Sequence, residues 1–451
     1  MTRPVPPHPT ARPAKALSLF DSTNIIVGII IGVGIYRMAP EVAQGAHSGT
    51  GVLLLWTLGG LISLCGALGY AELASAWPRH GGDLVYLSKA YGDRAGFLFG
   101  WAQLTIIRPG DIAVMAFAFV TYGLPLLGLP PEAESGWSGR LLAAAAVAVL
   151  TAINMLGVRE GKFTQNLLTT LKLLGLAAII LIAFLGPGPA TTPSATGTAI
   201  PWSLALVFVL FTYGGWNEMA YVAAEVKNPD RNILRALVIG TLAVTILYLA
   251  VNAAFLHRLG FEGLKQSTTP AVDSVEPLLH QGGGRVIAAL VCLSALGAIN
   301  GLVFTGARIS FAMGETFPVM NALGRWNPAT GTPVRALLVQ GLLAIALILL
   351  LGSLIDTLVY TAAVVYTFYF ATSAAVFVLR KKHPHTPRPY RVTAFPVPTL
   401  VFMAVCAYLI HSCVSYSLDF RPASIPVIIT IIAAGLIIHQ ASGKTKRTRP
   451  D

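Results

Sequence analysis

Residues 25–40 read IIVGIIIGVGIYRMAP. An apolar run of this kind belongs in a membrane-spanning helix, yet Gly28, Gly32 and Gly34 fall within seven positions and Arg37 follows. Glycine is a poor helix former, and a charge is costly in lipid. Irregular backbone at membrane depth is tolerated only where it is buried in protein or lines a cavity. The glycines therefore mark either a site or a place where helices pack closely.

The rest of the chain puts this stretch in a membrane. Hydrophobic residues make up 55% of 451 positions and charged residues 11%, and the mean hydropathy of +0.70 excludes an ordinary soluble globular domain. A span needs about 20 apolar residues. Twelve candidates follow at roughly 18–39, 51–77, 95–122, 138–158, 164–187, 201–224, 233–257, 284–313, 334–352, 355–380, 395–416 and 423–440. The fold expected is an all-α multi-pass membrane protein with 12 transmembrane helices.

Charge sets its orientation. With the amino terminus inside, 22 of the 31 Lys and Arg residues fall on the two tails and on alternate loops of one side, and five fall on the other: Arg140, Arg258, Lys265, Arg285 and Arg421. Arg37, Arg108, Lys172 and Arg308 lie in or near spans. This bias places both termini in the cytoplasm and the protein in the cell (inner) membrane. It also accounts for the net charge of +12 without a nucleic-acid partner. Residues 1–17 are Pro-rich and basic and read as a disordered tail, not a signal peptide; residues 18–380 form the core of ten spans, 381–440 a loop with the last two spans, and 441–451 a basic tail. Cys65, Cys292, Cys406 and Cys413 lie in spans without metal-ligand spacing and read as small apolar residues.

A second interruption, YGGWNE at 213–218, occurs in the sixth span. The first and sixth spans open two putative five-span halves, and an odd displacement reverses the second half in the membrane. Paired breaks of this kind are the signature of a 5+5 inverted repeat with its substrate site at the midplane. A break at residues 32–34 frees backbone N–H groups that attract a carboxylate. The outer half of the sixth span ends near residues 211–214 with free carbonyl oxygens, which attract an ammonium group. An α-amino acid satisfies both ends. Gly28, spaced small-xxx-small with Gly32, belongs instead to packing.

These residues resemble a known family. VGIIIGVGIY (27–36) is similar to the GSGIF signature of the amino acid, polyamine and organocation (APC) superfamily, and residues 71–92 and 211–237 look like its loop after span 2 and its span 6. GWAQLTIIRPGDIAVMAFAF (100–119) and INMLGVREGKFTQNLLTTLKLLGL (153–176) narrow the resemblance to the L-type amino acid transporter branch. It implies a LeuT-type fold and a permease or antiporter working by alternating access. Gly32, Val33 and Gly34 are then expected at the substrate carboxylate, and Phe211, Thr212, Tyr213 and Gly214 at the amine, with Ile31 and Ile35 also in the substrate site and Phe211 as an aromatic gate. Asn217 either bonds substrate or caps free backbone. Lys172 occupies the place where sodium-driven relatives hold sodium, so its ammonium group replaces the cation and makes transport sodium-independent; the alternative is a snorkelling lysine.

Departures from the family pattern bear on specificity. Val33 stands where serine is usual and Tyr36 where phenylalanine is; Arg37 either steers anions or reaches the interface. Asp111 and Glu218 are candidate specificity residues, with an ion pair to Arg108 the structural alternative for Asp111 and the helix dipole that for Glu218. The apolar and aromatic residues around the breaks favour neutral L-amino acids; a cationic amino acid or amine carrier using Glu218 or Asp111 is the alternative. A sensor without transport would need an output domain. No nucleophile with its base, HExxH, P-loop or nucleotide fingerprint is present, so no enzyme, cofactor or metal is expected. Residues 123–140 hold no cysteine, so the disulfide-linked heavy chain used by part of the branch is not expected; the partners are the amino acid substrate and lipid.

Overall fold

The computed structural model describes residues 15–130, 136–186, 200–279, 282–351, 354–420 and 424–442. The expected tail segments 1–14 and 443–451 lie outside the described residues. Among the described residues the chain is helical, without β-strands. Among the described residues, eight helices are long and apolar enough to cross a membrane: Gly49–Ala76, Asp93–Leu126, Trp137–Leu156, Val158–Leu185, Pro229–Gln266, Gly283–Thr316, Thr361–Lys382 and Val397–Ser415. Shorter apolar helices, Leu19–Ile30, Trp202–Thr212, Val334–Leu350 and Ile428–Ala441, fall where the other expected spans begin or lie.

The first helix shows how local chemistry sets its limits. Ser18 caps α1 (Leu19–Ile30) by a reciprocal box: its Oγ accepts from the Asp21 amide at 3.2 Å, and the Asp21 carboxylate accepts from the Ser18 amide at 2.9 Å. Just before the cap, Leu17 is fully buried, donates to Glu225 O at 2.9 Å and accepts from the Lys227 amide at 2.8 Å. It therefore belongs to the fold, not to the expected tail. At the other end the Gly32 amide turns to Ile30 O at 2.7 Å, not to Gly28 O as a continuing helix demands. Helix resumes as α2 (Gly34–Arg37) and α3 (Ala39–Gly45), with Pro40 in the first turn of α3.

The chain then runs through α4 (Gly49–Ala76), α5 (Asp83–Tyr91) and α6 (Asp93–Ala102). A π-helical turn, Gln103–Ile107, joins α6 to α7 (Arg108–Leu126). α8 (Trp137–Leu156) and α9 (Val158–Leu185) follow. α10 (Trp202–Thr212) stops at the YGG stretch and continues as a 3₁₀ segment, Glu218–Glu225. α11 (Pro229–Gln266), α12 (Pro270–Leu279), α13 (Gly283–Thr316), α14 (Val334–Leu351), α15 (Leu354–Lys382), α16 (Val397–Phe420) and α17 (Ser424–Ser442) complete the chain.

α1 is enclosed by α9, α11 and α13, while α10 packs on α3 and α4. This arrangement brings the two interruptions together in the middle of the bundle. Exposed leucines and isoleucines such as Leu54, Leu61, Leu174, Leu185, Ile246 and Leu342 cover the outside, a surface suited to lipid. Two ion pairs close off charge in the interior: Arg308 grips Glu225 through two nitrogens at 2.8 and 3.2 Å, and Arg380 grips Glu72 at 2.9 and 2.6 Å. Pairing is the condition on which such groups are tolerated in a low-dielectric interior.

Candidate functional site

The first break leaves polar backbone on both of its sides. Among the described residues the amides of Val33, Gly34 and Ile35 meet no acceptor, because the chain has left α1 and they open α2 with no turn of that helix before them. On the other side, the carbonyls that lost helical partners are taken up by side chains. Lys172, fully buried, donates to Gly28 O at 2.8 Å, Ile31 O at 2.9 Å and Ser294 O at 3.0 Å. Ser294 Oγ lies 2.9 Å from Ile31 O and 3.3 Å from Gly32 O. The Tyr248 hydroxyl lies 2.9 Å from Ile30 O and 3.2 Å from Thr212 O, so one phenol joins the two breaks.

The second break is built on glycine. Gly215 has φ 101°, a conformation that side chains rarely tolerate, and a Cβ there would sit 2.6 Å from Ile29 Cγ2. The break therefore presses directly on the end of α1. The Gly214 amide turns to Phe211 O at 3.0 Å. As a result the carbonyls of Leu210, Tyr213 and Gly214 have no donor among the described residues. The contact between breaks is as close: a Cβ on Gly34 would lie 2.8 Å from the Thr212 side chain.

Between the breaks and the elements around them lies a cavity of about 140 Å³, measured as the space open to the centre of a water molecule. That is about ten times what one water requires, enough for a molecule the size of an amino acid. Gly32, Gly34, Phe211, Thr212, Gly214, Asp111 and Glu218 line it, as expected residues of the site. A second, smaller cavity of about 40 Å³ is lined by Val33, Gly34, Arg37 and Phe211. Phe211 thus stands between two spaces, and Arg37 faces the smaller one.

Other expected residues sit behind the site. Ile31 contributes its carbonyl to Lys172, and Ile35 and Tyr36 are buried. Tyr213 turns away, donating to Trp56 O at 3.0 Å. Asn217 donates to the Tyr221 hydroxyl at 2.9 Å and accepts from Tyr369 at 3.0 Å. Gly28 packs on Gln165 and Thr169 of α9. The alternative offered for Asp111 does not form: Arg108 bonds Glu218 at 3.0 Å, across helices, and not Asp111. Glu218 also accepts from Thr305 at 2.5 Å. A guanidinium reaches farther than one turn of its own helix, and Glu218 offers it an ion pair in the dry interior.

A family model for amino acid permeases matches residues 17–438. The chain belongs to the amino acid permease family. It is a multi-pass membrane transporter of the L-type-like branch of the APC superfamily, not an enzyme. The permease is 31% identical to the serine/threonine exchanger SteT of Bacillus subtilis (strain 168), over 96% of this chain and 98% of that protein. It is 35% identical to the large neutral amino acids transporter small subunit 2 of Mus musculus, over 86% and 75% of the two chains. It is 31% identical to the b(0,+)-type amino acid transporter 1 of Mus musculus, over 86% and 80%.

The permease site also contains residues that sequence reasoning passed over. Tyr248, Ser294 and Thr305 stitch the breaks or hold Glu218, and each is a common polar residue inside an apolar helix with no local mark. Phe368 and Tyr369 of α15 and Phe402, Val405, Cys406 and Leu409 of α16 line the cavity. Cys406 is thus an apolar wall residue of the site. Gln103 was marked only by what the chain does there, since a π-turn often accompanies function.

Proposed function

We propose that this permease moves α-amino acids across the inner membrane by alternating access, without sodium. The observation that carries it is the meeting of two broken helices beside one cavity, which Gly32, Gly34, Leu210 and Gly214 line: among the described residues the amides of Val33, Gly34 and Ile35 have no acceptor, and the carbonyls of Leu210, Tyr213 and Gly214 no donor. The first set suits the substrate carboxylate and the second its ammonium group. The apolar and aromatic wall suits neutral side chains, and the names of the similar proteins speak of serine, threonine and large neutral amino acids.

The remaining expectations enter here as parts of the same proposal. Twelve spans in a LeuT-type 5+5 inverted repeat, with both termini cytoplasmic and 18–380 as the core, agree with the pairing of Leu17 with Glu225 and Lys227. That pairing puts the start of the first span and the end of the sixth on one face, as an odd displacement requires. Phe211 acts as the gate between the two cavities. Lys172 supports sodium independence because its ammonium group holds the carbonyls a cation would need. The cysteine-free loop at 123–140 favours work without a disulfide-linked heavy chain.

The test is uptake of a labelled L-amino acid panel into proteoliposomes, with and without sodium, a pH gradient and internal substrate. Saturable uptake of neutral amino acids in sodium-free buffer is expected. A folded, reconstituted protein that moves no amino acid under any of these conditions refutes the proposal.

A further inference from the structure

Three charged side chains line the larger cavity among the described residues: Arg108, Asp111 and Glu218. Arg108 and Glu218 neutralise each other at 3.0 Å, and both are buried. Asp111 is left over. Its carboxylate forms no hydrogen bond and no ion pair among the described residues, and what exposure it has opens onto the cavity. Of the other cations near the breaks among the described residues, Lys172 spends its donors on three backbone carbonyls, and Arg37 lines the smaller cavity, not this one. A carboxylate in a low-dielectric interior is tolerated when a cation accompanies it, and here Arg108 acts on Asp111 only from a distance, its bond going to Glu218.

A second observation points the same way. Gln103, on the π-turn just before α7, is 5% exposed and lines the same cavity, and its Oε1 meets no donor. Orphaned buried acceptors of this sort call for a donor from outside the protein. The cavity walls beside them are aromatic, with Phe99, Tyr221, Phe368 and Tyr369, faces that attract a cation. We infer that Asp111 selects the far end of the substrate, so that the site takes basic α-amino acids with three- or four-carbon stems in addition to neutral ones.

The length of the stem follows from the helix. The Met115 side chain covers Gly32, where an added Cβ would lie 3.2 Å from its Cε, and Asp111 precedes Met115 by four positions on α7. Four residues are about 6 Å along the axis. A lysine-like stem covers that distance from a backbone anchored at the breaks, whereas the single carbon of serine does not. Glu218 is excluded from the role, since Arg108 and Thr305 already occupy its oxygens.

This inference rests on the two breaks holding the substrate backbone, and the experiment separates the two. Proteoliposomes carrying the wild-type protein or Asp111→Asn are assayed for uptake of labelled L-lysine and L-leucine, with competition by unlabelled L-lysine and L-norleucine, which shares the stem but lacks the terminal amine. In the wild type, lysine is transported and competes more strongly than norleucine. In Asp111→Asn, lysine uptake relative to leucine falls about tenfold or more, as loss of a charge-assisted bond predicts. Leucine uptake without lysine uptake or competition in the wild type overturns the inference while sparing the proposed function; an unchanged lysine-to-leucine ratio in the variant does the same. No uptake of either amino acid overturns both. Should Asp111→Asn fail to fold, the comparison of lysine with norleucine on the wild type still decides.

Discussion

Replacing Lys172 with methionine keeps most of the side-chain volume and removes the ammonium group that three carbonyls share. The three are not equally dependent on it. Ile31 O keeps the Ser294 hydroxyl at 2.9 Å, and Ser294 O lies inside α13, where the main chain supplies a donor. Gly28 O has lost its helical donor to the break and has Lys172 Nζ as its partner. An orphaned buried carbonyl costs about 1–3 kcal/mol, and a bond to a charged donor contributes about 1.5–3 kcal/mol. Against this, the variant no longer buries an ammonium group, which recovers part of the loss. The net expectation is a destabilisation of about 2–4 kcal/mol, read as a lower midpoint of thermal unfolding in detergent. Transport of the best substrate falls at least about tenfold, because the break that presents the amides of Val33, Gly34 and Ile35 is no longer tied to α9 and α13. Replacing Lys172 with serine instead vacates a set of carbonyl oxygens that suits a monovalent cation, so sodium is expected to raise the stability of that variant and not of the wild type. A Lys172→Met protein with unchanged melting and transport, or a wild type that strictly requires sodium, refutes the assignment.

Other consequences can be measured on the same preparation. Gly34→Ala drives a Cβ to 2.8 Å from Thr212, between the two breaks, whereas at Gly32 the neighbour is the flexible end of Met115 at 3.2 Å; uptake is expected to fall severely in the first and by only a few-fold in the second, and equal effects contradict the geometry. Phe211→Ala joins the two cavities it now separates, so substrate should exchange faster and bind less tightly, seen as a raised KM in uptake. Titration concerns the loop after α4. Burial pushes the Asp83 carboxyl from 3.8 up to about 6, although Thr372 and the Tyr70 hydroxyl bond it. A folded value above the unfolded one means this contribution is complete below pH 4 and is lost as pH rises through about 6, a change of about 3 kcal/mol. Burial draws His80 down to about 4, so its contribution is present above about 6.5 and lost as pH falls toward 4. Melting curves between pH 4 and 7 should therefore show Asp83→Asn gaining stability over the wild type as pH rises, and His80→Gln gaining over it as pH falls; parallel profiles dispose of both assignments.

Much of this molecule was open to reading from its sequence, because a membrane narrows what a chain can do. Apolar runs had to be helices, and glycines at 32–34 and 213–218 had to interrupt them, so the two breaks and the family resemblance were legible at once. Lys172 was legible for the same reason: a lysine deep in an apolar run demands a partner. The identity of that partner was not. Gly28 O and Ile31 O accept from it only because α9 packs across the end of α1. Arg108 looked like the partner of Asp111 by helical spacing, yet Glu218, 110 positions away, holds it.

Sequence alone therefore determined where this permease has helices, where they fail, and which amides and carbonyls the failures set free. Those are local consequences of residue type acting on backbone geometry in a solvent without water. Only the tertiary structure decided which freed groups stay free. Tyr248, Ser294 and Lys172 consume the carbonyls on one side of the first break, while the amides at Val33, Gly34 and Ile35 remain open. The packing that pairs Arg108 with Glu218 likewise leaves Asp111 as the cavity carboxylate without a bonded partner among the described residues, since a guanidinium takes whichever carboxylate the fold brings within bonding distance.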